Sequence, residues 1–348
     1  MYRSEPLVSV LLPCFNARRW IGAATDSILQ QTVSDLEVVL VDDGSERTSY
    51  EAVASIAASD RRIRLVRNER NEGIVAALNR AIAESRGDYI ARMDADDIAV
   101  ANRLERQLEF IGATGTDLCG SWFVEFGRGI ARAVRWPHTE EAVRVALLFQ
   151  NTMCHPTLMG RREVFESFKY RETYRLAEDY DFVVRAAGKY RVGNVPEILL
   201  HYRRHSQQAT FSSRDAMERI ACQVRRDALE YAGIVASAEE QRLHNLIRAP
   251  YSILNFDDLL GIERWLIKLV RLAPSRPVRE VIGSQWVRAC VRAAPLGRLM
   301  WHAFLRSPLR EFLQNDTVVR WDLRALAFLK WDYRSRPFET FRRFGLSA

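Results

Sequence analysis

The chain places closely spaced carboxylates where an apolar segment stops, in the run from Tyr89 to Asp97. Asp94 and Asp96 flank one residue, so in an extended chain past a strand both side chains project to the same side and can share one divalent ion. Mg2+ and Mn2+ suit such a pair, because they accept a carboxylate or two and complete their shell with water and phosphate oxygens. The alternative is a solvated acidic turn that caps the helix starting near Asn102. The Asp-x-Asp motif alone does not separate these two interpretations.

The segments that must position these carboxylates alternate between strand-like and helix-like patterns. Strand-like apolar runs cover Leu7–Leu12, Leu36–Val41, Ile63–Val66 and Tyr89–Met93. Helix-like runs cover Ala17–Gln31, Tyr50–Ala58 and Ile74–Ser85. This alternation predicts an α/β fold, with a mostly parallel, Rossmann-like sheet and helices on both of its faces. Ligands of such sheets bind at the carboxyl ends of the strands.

Polar clusters follow the strands at the edge where a ligand would bind. They are Pro13–Asn16, Asp42–Ser45, Arg67–Gly73 and Asp94–Asp97. Since the carboxyl ends of parallel strands meet at one edge of a sheet, we expect these loops to converge there. Four loops that converge on one edge predict a ligand site more strongly than any single motif does.

The pattern becomes mixed from about Asn102 and is helical beyond about Ser212. We therefore predict one domain over residues 1–211, in two halves of about 1–100 and 101–211, and a helical region over residues 212–348. With 348 residues and 48% hydrophobic residues, the chain buries an ordinary globular core and is not mainly disordered. Its five cysteines form an odd set with no CxxC pair, which argues against a disulfide framework and a zinc site.

The sequence also bears on location. The first apolar stretch is short and is interrupted by Pro13, so we predict no secretory signal, and no apolar run approaches the ~20 residues that cross a bilayer. We expect a cytoplasmic protein, or one bound peripherally at the inner face of a membrane. Ten cations and one anion lie between Arg264 and Arg310, interleaved with Trp265, Trp286, Trp301 and Phe304. Such a region can lie on anionic lipid, although the arginines could equally form a solvated helix face, and we expect no nucleic-acid partner.

In order and spacing, the motifs of the chain resemble those of family 2 glycosyltransferases over roughly Leu7–Gln207. The segments that carry the resemblance are Val8–Asn16, Ser27–Thr32, Val41–Ser45, Asn71–Gly73, Asp94–Asp96 and Glu178–Asp181. The resemblance implies a GT-A fold, a nucleotide-sugar donor, a divalent metal (Mn2+ or Mg2+) and transfer with inversion at the anomeric carbon. The first half of the domain would then bind the donor and the second half the acceptor. The resemblance does not extend to the helical region.

For the metal, the resemblance makes Asp96 the direct ligand, with Asp94 on the ribose or on the metal through water. Asp97 would point to the other face and be structural. His205, in a basic loop, would bind the donor phosphates or complete the metal shell, unless it is an ordinary structural histidine.

For the nucleotide, the resemblance gives Asp43 the role of accepting a hydrogen bond from the uracil ring nitrogen, which an ionised carboxylate can do. Asp42 would instead hold the turn, and both could simply cap the next helix. The remaining pocket residues are Pro13, Phe15, Asn16, Arg67 and Asn71, with Phe15 against the base and the last two on base or phosphate.

For catalysis, the resemblance makes Asp179 the base that takes the proton of the acceptor hydroxyl, with Glu178 orienting the acceptor or the base. The alternative is a helix N-terminus that acidic side chains stabilise. His155 would face the acceptor or stabilise its loop. The predicted function is metal-dependent inverting transfer from a nucleotide-sugar, with a UDP-sugar as the expected donor, to a glycan or lipid-linked acceptor in surface polysaccharide synthesis. A non-catalytic scaffold with the same fold is the alternative function.

Overall fold

The computed structural model describes residues 5–127, 131–205, 214–313 and 316–345. The chain divides into two compact units, one of residues 1–143 with 151–220 and one of residues 144–150 with 221–348. We call them the sheet unit and the helical unit. The predicted domain boundary between residues 211 and 212 lies outside the described residues.

The first part of the sheet unit is a parallel sheet with crossover helices. Its strands are β1 Val8–Cys14, β2 Leu36–Asp42, β3 Ile63–Arg67 and β4 Tyr89–Arg92. The helices between them are α1 Ile21–Leu29, α2 Arg47–Ser59 and α3 Ile74–Glu84. The strand order is β3-β2-β1-β4 and each pair is parallel. Because helices cover both faces of such a sheet, its central strands are mostly apolar, and β1 and β2 are buried along their whole length.

The sheet continues beyond β4 with mixed strand directions. The further strands are β5 Ile98–Ala99, β6 Leu118–Phe126, β7 Arg132–Val134, β8 Met159–Arg161 and β9 Val192–Arg203. β8 joins β4 to β6 by antiparallel pairing, and β9 runs parallel to β6. The helices of this part are α4 Arg103–Thr114, α5 Glu140–Leu147, α6 Arg162–Ser167 and α7 Glu178–Lys189. The predicted α/β class is confirmed, with the parallel strands concentrated in the first hundred residues.

The helical unit continues the chain with helices and short 3-10 turns. The helices of this part of the chain are α8 Arg214–Tyr231, whose residues 214–220 belong to the sheet unit, α9 Ala238–Leu246, α10 Phe256–Leu272, α11 Arg276–Arg292, α12 Arg298–Arg306, α13 Asp316–Leu329 and α14 Arg336–Gly345. α9 begins with a capping box between Ser237 and Glu240, which satisfies its first amide groups. Among the described residues, no helix combines the length and the apolar character that crossing a bilayer requires.

The aromatic residues of the basic stretch form the core of the helical unit. Trp265 is 2% exposed, and Trp286 and Phe304 are fully buried, whereas Arg264 and Arg271 are exposed. These rings therefore pack inside the unit and do not form a lipid-facing surface. Arg264 and Arg271 fit the alternative of a solvated helix face, whereas Arg292 is buried, and membrane binding by this stretch stays a prediction.

A buried histidine joins residues 144–150 to the helical unit. His244 accepts the indole N–H of Trp265 at Nδ1 over 3.0 Å, and its Nε2 lies 2.7 Å from the carbonyl oxygen of Leu148. Since the indole can only donate and the carbonyl can only accept, the ring is the neutral tautomer with its proton on Nε2. Burial accordingly lowers the pKa of His244 to about 4.

Candidate active site

The acidic run after β4 folds into a tight turn. Asp94, Asp96 and Asp97 each offer an oxygen within 4.8 Å of the others. The amide of Asp97 lies 3.5 Å from the carbonyl oxygen of Asp94, which closes the turn. An extended chain would send Asp97 to the opposite face, but the turn brings its carboxylate into the group. The result is a compact set of oxygen ligands at the carboxyl end of β4, of the kind that hard divalent cations bind.

Asp96 and Asp97 have raised pKa values. Burial, followed by the charge of Asp94, raises the pKa of Asp96. Burial, followed by the charges of Asp94 and Asp96, raises the pKa of Asp97 well above its usual range. Oδ2 of Asp97 is buried and accepts no hydrogen bond from any described residue. The group therefore holds more negative charge than its surroundings compensate, which favours a bound cation.

The end of β9 covers this turn and carries His205. Nε2 of His205 lies 2.8 Å from Oδ2 of Asp96. The backbone amide of Arg203 donates to Oδ1 of Asp97 over 2.7 Å, and its Nε donates to the carbonyl oxygen of Asp96, also over 2.7 Å. Its guanidinium carbon lies 4.2 Å from the ring centre of Trp20 and 4.5 Å from that of Phe126. This sandwich fixes the strand end, so the predicted metal residues Asp94, Asp96 and His205 do come together.

Arg92 is a buried arginine that sequence reasoning missed. It is 3% exposed, and its Nη1 lies 2.5 Å from Oδ2 of Asp94. Burial raises the pKa of Glu178 and of Asp179, and the positive charge of Arg92 partly offsets this rise, so Arg92 acts on both acidic motifs of the chain. Arg103 donates from Nη2 to the carbonyl oxygen of Arg92 over 2.8 Å and holds the strand end in place. The only sequence signal was an arginine inside an otherwise apolar strand.

The second acidic motif opens α7. Asp179 accepts the amide of Tyr180 at Oδ1 over 2.7 Å and the side-chain amide of Asn151 at Oδ2 over 2.9 Å. Glu178 accepts the amide of Leu176 over 2.8 Å. Leu176 has a φ of +82°, a left-handed conformation that is strained for a leucine and that is found disproportionately at functional sites. The turn before α7 thus presents both carboxylates in fixed positions.

The two carboxylates differ in their electrostatic surroundings. Burial, followed by the charge of Asp179, raises the pKa of Glu178 to about 7. Burial also raises the pKa of Asp179, but its hydrogen bonds from Tyr180 and Asn151 favour the ionised form. Asp179 is therefore the better candidate to remain ionised and accept a proton, and Glu178 is the better candidate to hold one near neutral pH.

His155 is a packed, neutral histidine. Its Nε2 lies 3.0 Å from the hydroxyl of Tyr170, and burial lowers its pKa well below the usual value. The backbone of Tyr170 is held in turn by two hydrogen bonds to the side chain of Asn79, each 2.9 Å long. Of the two predicted roles for His155, this geometry favours stabilisation of the loop.

Asp42 ends β2 and Asp43 follows it, and both hold loops. Asp43 accepts from the side-chain amide of Asn68 over 2.7 Å and from the backbone amides of Glu72 and Gly73 over 3.0 and 2.8 Å, so it holds the third loop. Asp42 holds the second loop, because the amide of Ser45 donates to its Oδ2 over 3.4 Å. Asp42 is fully buried, with Oδ2 lying 3.5 Å from Nε of Arg67, and its Oδ1 accepts no hydrogen bond from any described residue. The role of Asp43 on the base stays a prediction.

The first loop is tied to the second by Asn16. Its amide donates to Oγ of Ser45 over 2.9 Å, and its Oδ1 accepts the amide of Glu46 over 3.0 Å. These contacts give Asn16 a structural role in addition to its predicted one. Phe15 is 48% exposed and offers a ring to a ligand, whereas Pro13 is buried within β1.

The third loop lines a cavity of about 550 Å3. Its lining includes Arg67 and Arg80, and the guanidinium carbon of Arg67 lies 3.7 Å from the ring centre of Tyr50. Asn71 is exposed on the same loop. Gly44 makes this packing possible, because a Cβ there would lie 2.3 Å from the backbone of Arg70. The loop is thus held against the second loop and presents cations at the edge of the sheet.

The sequence matches one family profile, that of Glycosyl transferase family 2, over residues 9–168. A Haemophilus influenzae protein named Uncharacterized glycosyltransferase is 30% identical over 243 residues, which cover 65% of this chain and 74% of that protein. The Methanocaldococcus jannaschii protein named Uncharacterized glycosyltransferase MJ1057 is 32% identical over 207 residues, which cover 57% of this chain and 71% of that protein.

Two solved structures are similar in fold. S. aureus TarS 1-349 in complex with UDP-GlcNAc has a TM-score of 0.53 and 16% identity, covering 98% of this chain and 93% of that one. The mannosyltransferase PcManGT from Pyrobaculum calidifontis, in complex with GDP-Man and Mn2+, has a TM-score of 0.53 and 18% identity, covering 94% of this chain and 87% of that one. At this identity the likeness is one of fold.

Proposed function

The chain belongs to glycosyltransferase family 2 and is a glycosyltransferase, and we propose that it is metal-dependent, inverts the anomeric carbon and uses a nucleotide-sugar donor. The observation that carries the proposal is the carboxylate cluster of Asp94, Asp96 and Asp97 at the carboxyl end of β4, with His205 against it. A diphosphate leaving group needs charge compensation at that edge of the sheet, and this cluster is where a cation would be held.

The residues present fit a divalent metal. Asp94 and Asp96 supply oxygens, His205 supplies a ring nitrogen, and the buried Oδ2 of Asp97 adds an unsatisfied acceptor beside them. Asp94, Asp96 and His205 would hold the ion, and Asp97 would keep the end of β9 in place through the amide of Arg203. A bound Mn2+ or Mg2+ would supply positive charge against the diphosphate as it leaves.

Asp179 is proposed as the catalytic base. It takes the proton of the acceptor hydroxyl while the hydroxyl oxygen forms a bond to the anomeric carbon. The bond between that carbon and the diphosphate oxygen breaks, and the nucleoside diphosphate leaves with the electron pair. Because the oxygen attacks from the face opposite the leaving group, the configuration inverts. Asn151 orients the base through its 2.9 Å hydrogen bond to Oδ2, and Glu178 orients the acceptor.

For the nucleotide we propose uridine, with Asp42 as the carboxylate that reads the ring nitrogen. Oδ1 of Asp42 is a buried acceptor with no partner among the described residues, whereas the oxygens of Asp43 already accept three hydrogen bonds. Phe15 would stack on the base, and Arg67 and Asn71 would contact the base or the phosphates. The acceptor is proposed to be a glycan or a lipid-linked sugar of surface polysaccharide synthesis at the inner face of a membrane, which family membership supports only by analogy.

The experiment measures nucleoside diphosphate release from UDP-sugars and GDP-sugars, with glycan acceptors and with Mn2+ or Mg2+, in wild type and in Asp179→Asn. We expect turnover to fall by about 10²–10⁴-fold in the variant while donor binding is retained, because only the proton acceptor is lost. Glu172→Gln is the matched control, since Glu172 is an exposed carboxylate on the preceding turn. Wild type that binds donor but never turns over would favour the non-catalytic scaffold.

A further inference from the structure

Helix α13 carries large apolar side chains on its outer side. Trp321 is 65% exposed and Phe328 is 85% exposed, while Leu323 and Leu326 on the inner side are fully buried. The outer positions of a helix on a solvated protein are ordinarily charged or polar. Two such exposed rings on one helix are therefore unusual for a surface that faces only water.

The exposed apolar area extends onto the start of α12. A Cβ on Gly297 would lie 2.6 Å from Cε of Lys330 and 3.2 Å from the carbonyl oxygen of Ala327, so the first turn of α12 lies beside the end of α13. Leu299 in that first turn is 51% exposed, and Lys330 is exposed as well. We call the surface formed by Leu299, Arg320, Trp321, Arg324, Phe328 and Lys330 the α13 face.

The charges of the α13 face have one sign. Arg320, Arg324 and Lys330 are exposed between and beside the apolar side chains, and the six residues of the face include no carboxylate. The guanidinium carbon of Arg324 lies 5.7 Å from the ring centre of Trp321, so the cation and the ring lie side by side on the outer side of α13. A partner for this face must offer negative charge at its surface and apolar material directly behind it.

We propose that the α13 face docks on an anionic lipid bilayer. Anionic headgroups meet the three cations, and the acyl boundary beneath them receives Trp321, Phe328 and Leu299, which is the binding geometry of helices that lie in a membrane interface. Tryptophan is suited to that depth because its ring is apolar and its N–H is polar. Docking itself does not depend on the transfer chemistry. Only the further step, that docking brings the active site to a lipid-linked acceptor, rests on the proposed function.

Apart from Leu299, the α13 face lies outside the basic stretch between residues 264 and 310. In that stretch the rings of Trp265, Trp286 and Phe304 are buried, whereas the α13 face exposes the rings of Trp321 and Phe328 beside its cations. The proposal therefore predicts that loss of the exposed rings of α13 weakens docking strongly, whereas loss of arginines such as Arg271 weakens it only through long-range charge.

The test uses the full chain with vesicles of phosphatidylcholine, alone or mixed with phosphatidylglycerol, in a sedimentation assay. Wild type should bind only the anionic vesicles, and Trp321→Ala combined with Phe328→Ala should weaken binding by at least about tenfold. Arg320→Gln combined with Arg324→Gln should weaken it and reduce its salt dependence. Val235→Ala combined with Leu272→Ala is the matched control, because these side chains are 87% and 62% exposed elsewhere on the unit.

A second readout locates the tryptophan. Brominated lipid should quench part of the tryptophan fluorescence of wild type, and this quenching should be absent in Trp321→Phe. That result would place the ring of Trp321 at the acyl boundary. Unchanged vesicle binding in the double alanine variant, or no binding of wild type to anionic vesicles, would overturn the proposal. So would self-association that the double alanine variant abolishes in the absence of lipid, because the occupant would then be a second copy. The double alanine variant should bind UDP as wild type does. Because UDP binding tests the proposed function and vesicle binding tests this proposal, the two measurements separate failure of one from failure of the other.

Discussion

Burial favours the neutral form of ionisable side chains in both units, but their partners differ. In the sheet unit, burial raises the pKa of Asp96 and Asp97, and neighbouring carboxylates raise them further. In the helical unit, burial lowers the pKa of His244, and both nitrogens of its neutral ring have partners in Trp265 and Leu148. The carboxylates of the sheet unit lack compensating positive charge, which a bound cation could supply. The hydrogen bonds of His244, in contrast, are all made within the chain.

This difference separates a binding site from a packed core by electrostatics. Selection for stability alone would not retain several carboxylates with raised pKa values. Each one lowers the free energy of unfolding above its usual pKa. It would readily hold a buried imidazole whose hydrogen bonds are satisfied. We therefore expect substitutions of buried ionisable residues to change mainly stability in the helical unit and mainly activity in the sheet unit.

The largest effect is expected on the stability of the helical unit in acid. Because the folded pKa of His244 is about 4, below the ordinary value of 6.5, its contribution to stability is complete above about pH 6.5 and is lost as the pH falls towards 4. We expect the free energy of unfolding to fall by roughly 2–3 kcal/mol over that range from this group alone. Urea unfolding of wild type and His244→Phe at several pH values measures it. Equal pH dependence in both proteins would show that His244 is not held neutral.

The next effect concerns the arginine that serves both acidic motifs. Arg92→Gln should lower activity by about 10–100-fold, because Asp94 loses the cation that positions it and Asp179 loses the charge that favours its ionised form. Arg92→Lys should recover part of the loss, since it restores charge without the planar fork. The pH dependence of kcat/KM should also shift to higher pH in Arg92→Gln. A variant that only loses stability, with a wild-type pH profile in its folded fraction, would make Arg92 merely structural.

A smaller effect is expected from the neighbour of the base. Glu178 has a pKa of about 7, so the Glu178–Asp179 pair takes up a proton as the pH falls through that value. The rate of wild type should fall to the extent that Asp179 shares this proton, because a protonated Asp179 cannot act as the base. Glu178→Gln removes the carboxylate that repels Asp179 and should move this acid limb to lower pH by about one unit. The kcat/KM profile against pH measures the shift. An acid limb that stays in place would assign it to another group, such as Asp96.

Much of the fold followed from the sequence. Strands buried on both faces have mostly apolar sequences, so β1 to β4 and the helices between them were predicted to within a few residues, except that α1 begins at Ile21 and not Ala17. The resemblance to family 2 glycosyltransferases is confirmed by the relatives and the family profile. The roles of the individual site residues stay predictions.

The remaining features depended on local backbone geometry and tertiary burial. Sequence spacing could not show that Asp94–Asp97 form a turn, or that Asp43 would hold the third loop and leave Asp42 with an open acceptor. It could not show that Trp265 faces the core while Trp321 faces outward, because both follow a helical pattern beside cations. Which face of a helix is buried depends on the elements packed against it.

Calorimetric titration of UDP, with GDP as comparison, in the presence and absence of Mn2+, tests the donor site in wild type and in Asp96→Ala. We expect wild type to bind UDP in preference to GDP and only with Mn2+, and Asp96→Ala to lose that metal-dependent binding, because Asp96 is proposed as a ligand of the ion. Failure of wild type to bind either nucleotide under any condition would contradict the assignment of the carboxylate cluster as the donor site, and equal binding by Asp96→Ala would contradict its role as metal ligand.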